Sequence, residues 1–212
     1  MTNYLFFTNT NNYKIDNSII HEVNNIFQHE IKTKFDFNTL QHQKAYEWSF
    51  KKPKITCHFK KLIKNKFKNI PIDINLLKIN PPRKKSLLIA DMDSTIIQEE
   101  SLNELAKFSD FNDQVSLITK KAMEGKINFE KALIQRVTLL ENLPLKKIQD
   151  LNDKINFTSG SQELLFCMNH FNAITVLVSG GFMPTIKHVA NKLEFKFFHG
   201  NDFIYKNNFN GK

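Results

Sequence analysis

Along the 212-residue chain the rhythm of apolar and polar positions changes at a pair of prolines. Before them, residues 1–80 are weakly patterned. Ile19, Ile20, Val23, Ile26 and Phe27 recur at helical spacing within Asn17–Phe35, whereas Tyr4-Leu5-Phe6-Phe7 and Ile55–Phe59 read as strands. These elements predict a small α+β domain over 1–80, whose role the pattern does not reveal. The segment Asn80-Pro81-Pro82-Arg83-Lys84-Lys85 can continue neither a helix nor a central strand, so 81–85 reads as a linker. Beyond it the pattern sharpens. Ser86-Leu87-Leu88-Ile89-Ala90 is a continuous apolar run, as expected of a parallel strand buried on both faces, and it ends in Asp91-Met92-Asp93-Ser94-Thr95. A helical region follows, roughly Ser101 to Asp153, broken at Gly125 and Pro144. A second buried strand, Ala173–Val178, opens onto Ser179-Gly180-Gly181. A helix over Pro184–Leu193, a short strand at Phe195–Phe198 and a hairpin-like piece ending at Lys212 complete the chain. Strands alternating with helices predict an α/β parallel sheet, with the helical region inserted after the first strand.

Composition narrows the picture. With 41% hydrophobic residues and 20 Phe, the chain can bury a substantial core, which excludes wholesale disorder. No apolar run approaches the roughly 18 to 20 residues of a membrane-spanning helix. MTNYLFFTNTNNYKIDN lacks a basic stretch leading into an apolar one, so no secretory signal is read there. Cys57 and Cys167 are too few for a disulfide framework and are not spaced as a metal site; a reducing cytosol fits. Cys167, His188 and His199 read as structural residues.

The net charge of +9 sits unevenly: residues 1–82 hold 13 Lys against 6 acids, and eight of those Lys fall within Lys51–Lys68. With Trp48, Phe59 and Phe67 nearby, this run could bind single-stranded nucleic acid by charge and stacking. A solvated Lys-rich face with its aromatics turned inward is the preferred reading, because the run contains no Arg. The basic residues are 28 Lys and 2 Arg beside 25 Asn, a bias that resembles AT-rich coding. Lys abundance therefore says little, and the two arginines, Arg83 and Arg136, gain weight.

In open α/β sheets, ligands collect beyond the carboxyl ends of the strands. Asp91 and Asp93 lie there, two residues apart, so that one carboxylate can attack while the other handles a proton. Alone, such a pair reads as a turn or helix-capping feature. Ser94 and Thr95 follow at a strand-to-helix turn, where free backbone amides favour an anion. At the second strand end, Ser179 offers a hydroxyl, and Gly180 and Gly181 let backbone amides approach a phosphate. Together the two strand ends point to phosphoryl transfer.

These residues also carry a family resemblance. LLIADMDSTIIQEESLNELA resembles the first motif of phosphoserine phosphatases, in the haloacid-dehalogenase-like superfamily. ITKKAMEGKINFEKALIQRVTLLENLP is similar to the family's helical cap, and ITVLVSGGF to its second motif. The resemblance runs over about 84–212. It implies a Rossmann-type parallel sheet, incomplete here over 86–212, with a cap at about 101–156. It also implies hydrolysis of O-phosphoserine to serine and phosphate, the last step of serine biosynthesis. Asp91 would be the nucleophile and Asp93 the general acid and base. Mg²⁺ would sit on the Asp91 carboxylate and the Asp93 backbone carbonyl. Ser179 and Gly180 would hold phosphoryl oxygens, Glu100 would face the substrate ammonium, and Arg136 would fork its carboxylate. Met123 and Phe129 would close over the substrate. Asn103 stands where the family often has Asp, outside the implied site. No nucleic-acid or membrane partner is implied.

Two family features have no counterpart within residues 1–212: the Lys that pairs with nucleophile and phosphate, and the G-D-G-x-N-D segment whose Asp completes the metal site. Asp202 follows the third strand in the wrong surroundings for that role. The Leu87–Ala90 strand is then expected at a sheet edge. The expectation is a chain that alone is a poor or inactive enzyme, from a truncated, split or partial coding sequence. The alternative is a non-catalytic remnant or interaction module that needs a complementing chain.

Overall fold

The computed structural model describes residues 2–9, 13–51, 57–79 and 83–202. The anticipated linker prolines, the first residues of the strand expected at Ile55–Phe59, and most of the terminal piece lie outside them. The chain divides into two compact units, Met1–Lys84 and Lys85–Lys212.

In the first unit the order is β1 (Thr2–Thr8), α1 (Asn17–Asn25), β2 (Phe35–Gln41), β3 (Ala45–Phe50), α2 (Cys57–Lys66) and β4 (Asp73–Ile79). The antiparallel sheet runs β2-β3-β1-β4, a ferredoxin-like arrangement. Period-two alternation sends Leu5 and Phe7 of β1, with Trp48 and Phe50 of β3, into one core face. Asp16 caps α1, accepting from the amides of Ser18 and Ile19 at 3.0 and 3.2 Å. That helix delivers Ile19 and Val23 to the core, and the wider helical turn that follows it, Ile26–Ile31, adds Phe27. The strand expected at Ile55–Phe59 is overturned where it can be seen, since Cys57–Phe59 begin α2. The reason is spacing: Phe59, Ile63 and Phe67 recur every four residues and all are buried, which only a helix and its following turn satisfy. Lys60, Lys61 and Lys64 face solvent while Trp48, Phe59 and Phe67 are buried.

Arg83 belongs to this unit. It donates to Glu47 through Nη1 at 3.2 Å and Nη2 at 2.6 Å, and its guanidinium lies 4.6 Å from the Tyr4 ring centre.

The second unit contains β5 (Leu87–Asp91), β6 (Ile174–Phe182) and β7 (Phe197–Asn201), paired in that order and parallel. Between β5 and β6 run α3 (Ser101–Ala106), α4 (Asn112–Met123), α5 (Phe129–Leu139), α6 (Lys146–Asn152) and α7 (Ser161–His170); α8 (Met183–Lys192) joins β6 to β7. The chain leaves the sheet through a tight turn, and Ile97 then pairs with the returning Phe157 in an antiparallel bridge. The Gln98 amide donates to Asn156 O and the Thr158 amide to Ile96 O, both at 2.9 Å. This two-stranded neck closes off α3–α6, which bury Leu102, Leu105, Val115, Val137, Leu140, Ile148 and Leu151 in a core that also takes in Phe182 of β6. A second core joins Leu177 of β6 to Leu165 of α7, to Ile186 and Val189 of α8, and to Leu193 just after it.

The strands expected to be buried on both faces are buried on one. Leu87 and Ile89 are 49% and 62% exposed, and Ile174, Val178 and Phe197 are also open. Side chains alternate between faces, and α7 and α8 share one core with Leu177. Among the described residues β5 is an edge strand.

Candidate active site

The parallel register puts Asp91 beside Val178, so the turn after β5 and the Ser179-Gly180-Gly181 stretch emerge side by side. Asp91 is exposed, and its Oδ1 accepts from the Met92 amide at 2.9 Å. Asp93 keeps extended backbone, while Ser94 turns into the left-handed region at φ 51°. That reversal brings the Ser94 amide to Glu99 O at 3.0 Å and its hydroxyl to Glu100 Oε1 at 2.7 Å. Glu100 is thereby held facing the strand ends from the amino end of α3.

Asp93 is the most enclosed carboxylate here. Its Oδ1 accepts from the Ser101 amide at 2.8 Å, and its Oδ2 from the Ser179 hydroxyl at 3.2 Å. Burial raises its pKa above the ordinary carboxylate value; the bonds from Ser101 and Ser179 oppose that rise, and the neighbouring Asp91 charge adds to it. Ser179 is itself buried and accepts from the Gly181 amide at 2.9 Å, so one hydroxyl joins both strand ends. The Gly180 carbonyl accepts from the Asn201 side chain of β7 at 2.9 Å, which steadies the glycine pair.

The helical layer reaches the same place. A Cβ on Gly180 would lie 2.7 Å from the Phe129 ring, so that ring rests directly on the glycine backbone. Arg136 of α5 is only 8% exposed. Burial lowers its pKa, opposed by the charges of Glu100 and Asp93. The guanidinium is therefore in the field of both carboxylates. Of the anticipated site residues, Asp91, Asp93, Glu100, Phe129, Arg136, Ser179 and Gly180 converge; Met123 stands 70% exposed at the end of α4.

Several contributors were not anticipated. Ser101 binds Asp93 through its amide, and Asn201 holds the glycine pair. Asn103, set outside the site on the sequence, accepts at Oδ1 from the Thr119 hydroxyl, which in turn accepts from Arg136. The DST and EES strings were in view, but the bonds among them depend on the turn at Ser94. The Asn103–Thr119–Arg136 chain crosses three helices and leaves no local signal.

Among the described residues no cluster of three His, Cys, Asp or Glu forms a metal cage. The donors at the strand end are a carboxylate on Asp91 and the Asp93 carbonyl, both hard oxygens. That set suits Mg²⁺, which keeps several waters and uses substrate phosphate as a ligand.

No family model matches the chain. Curated proteins do. It is 39% identical over 118 residues to a probable phosphoserine phosphatase of Schizosaccharomyces pombe, covering 56% of this chain and 40% of that protein. It is 36% identical over 124 residues to phosphoserine phosphatase of Methanocaldococcus jannaschii, covering 58% and 59%. The chain thus spans about half the length of these relatives. Among solved structures, a phospho-aspartyl intermediate analogue of phosphoserine phosphatase matches with TM-score 0.58 and 34% identity over 61% of this chain and 63% of that one. A HAD family hydrolase from Salmonella enterica serovar Typhi matches the whole chain and 72% of its own with TM-score 0.81 at 21% identity, a likeness of fold. Over that 61% of the chain the α/β fold matches that of a solved phosphoserine phosphatase, and the curated homologues bear that name.

Proposed function

We propose that the second unit belongs to a phosphomonoesterase that hydrolyses O-phosphoserine to serine and phosphate. The observation that carries this reading is that a glutamate and a buried arginine lie within each other's field beside the Asp91/Asp93 strand end. A phosphate ester with an α-amino acid head offers a dianion, an ammonium and a carboxylate. Asp91 and Ser179 address the first, Glu100 the second and Arg136 the third. The names of the relatives agree with it.

In this mechanism the exposed Asp91 carboxylate attacks phosphorus and forms an acyl phosphate, while the bond from phosphorus to the serine oxygen breaks. Asp93 delivers its proton to that departing oxygen. Its raised pKa favours the protonated form the step needs, and the bond from Ser179 keeps the carboxyl aimed along the strand ends. In the second step a water attacks phosphorus, Asp93 takes back a proton, and the bond to Asp91 breaks to release phosphate. The Ser179 hydroxyl and the backbone amide at Gly180 hold phosphoryl oxygens, and the Phe129 ring over Gly180 limits water entry. Mg²⁺ would be held by the Asp91 carboxylate and the Asp93 carbonyl, where it supplies charge neutralisation for the phosphate.

The test is phosphate release from O-phosphoserine by the purified 1–212 chain with Mg²⁺, beside Asp91→Asn. Release that disappears in the variant supports the reading. Release that survives the substitution sinks Asp91 as nucleophile, and no release points to the non-catalytic alternative.

A further inference from the structure

We infer that Thr119, held by Asn103, is the positioning residue that aims Arg136, and so sets the preference for substrates carrying a carboxylate. This rests on the phosphoserine reading above and deepens it.

Arg136 is tied back at two points. Its Nε donates to the carbonyl of Ala132, one turn earlier on α5, at 3.2 Å, and its Nη1 donates to Thr119 Oγ1 at 3.3 Å. Thr119 lies on α4 and is buried. Its single hydroxyl proton has two acceptors, Asn103 Oδ1 of α3 at 2.8 Å and Val115 O at 3.0 Å. With its proton drawn to that side, the oxygen turns a lone pair to the guanidinium. Both groups that hold Arg136 in these contacts are neutral.

That neutrality matters. A guanidinium carries five N–H donors in a fixed planar fork. Two are used here by a carbonyl and a hydroxyl, which orient the plane without cancelling its charge. Three remain to be offered, enough for a two-pronged bond to a carboxylate. The arrangement also draws its members from α3, α4 and α5, so it fixes the arginine relative to the helical layer as a whole rather than to one flexible helix.

The experiment compares the affinities of O-phosphoserine and O-phosphoethanolamine for the 1–212 chain by calorimetry. The second ligand keeps the phosphate and ammonium and lacks the carboxylate. Wild type and Thr119→Ser should prefer phosphoserine. Thr119→Val, which keeps the shape and loses the acceptor, should lose about tenfold of that preference, the scale of one bond to a charged group, with phosphoethanolamine affinity unchanged. A wild-type preference retained in Thr119→Val overturns the inference and leaves the phosphoserine reading standing. Absence of any preference in wild type overturns the role given to Arg136 and the inference with it. Should Thr119→Val fail to fold, judged by its circular dichroism, the partly exposed Asn103→Ala replaces it. It removes the shorter of the two acceptors and leaves the hydroxyl to Val115 O alone, so it should lower the preference about threefold, and an unchanged ratio there overturns the inference.

Discussion

Replacing Arg83 by alanine should cost the first unit about 2 kcal/mol and should do so by stranding Glu47. Glu47 sits on β3 with 2% of its side chain exposed, while Arg83 is 48% exposed. The pair is bidentate, at 2.6 and 3.2 Å. A hydrogen bond to a charged group contributes about 1.5–3 kcal/mol, and leaving a buried charge unpaired costs a similar amount or more. Two features reduce the total. Solvent reaches the arginine, and Asn38 Nδ2 still donates to Glu47 Oε1 at 3.2 Å. Lost stacking over Tyr4 adds about 0.5–1 kcal/mol. For a domain of this size each kcal/mol moves the melting point by about 4–8 °C, so a shift on the order of 10 °C is expected. The chain has one tryptophan, Trp48, buried in this unit, so its fluorescence during urea unfolding of the full chain reports on the unit alone. Glu47→Gln placed on top of Arg83→Ala should recover at least half the loss, because a neutral amide needs no counter-charge. The reasoning is refuted by an Arg83→Ala midpoint within about 0.5 kcal/mol of wild type, or by a loss that Glu47→Gln does not relieve.

Two further outcomes follow from the second unit. Gly180→Ala drives a Cβ to 2.7 Å from Phe129, so the ring must leave; phosphate release should fall about tenfold or more, and Phe129→Ala in the same chain should relieve the collision and restore part of it, read as initial rates. For Asp93 the sign is set by a pKa raised on folding: its charged form is disfavoured in the native state, so its contribution is favourable at low pH and is lost as pH rises from the unfolded value of 3.8 through the folded one. Asp93→Asn without Mg²⁺ should therefore be more stable than wild type at pH 7, with the gap closing as pH falls toward 4, followed by urea midpoints across that range; an equal gap at both ends contradicts the assignment.

How far the sequence could be read depends on the range of the interactions. Asp91, Asp93, Ser179 and Gly180 were visible because a buried strand ending in polar residues is a local pattern, and the parallel pairing then brings the two ends together. Arg136 stood out through its rarity. The α2 helix was misread because its opening residues are apolar enough for a strand, and the deciding partners, Ile63 and Phe67, lie beyond that window. The bare face of the parallel sheet could not be foreseen, since an apolar run does not say which of its sides a helix will cover. The hydrogen bond from Thr119 to Asn103 spans sixteen positions and two helices. Arg83 was read as part of a linker, although its guanidinium completes a sheet whose strand is more than thirty residues away.

The most direct test of the account is whether Asp91 takes up a phosphoryl group. O-phosphoserine labelled in its phosphate is mixed with the 1–212 chain and Mg²⁺, quenched in acid, and the protein-bound label is counted. The account predicts label that is released by mild base and is absent from Asp91→Asn. Label that persists in Asp91→Asn, or wild-type protein that binds O-phosphoserine without acquiring any, would contradict it.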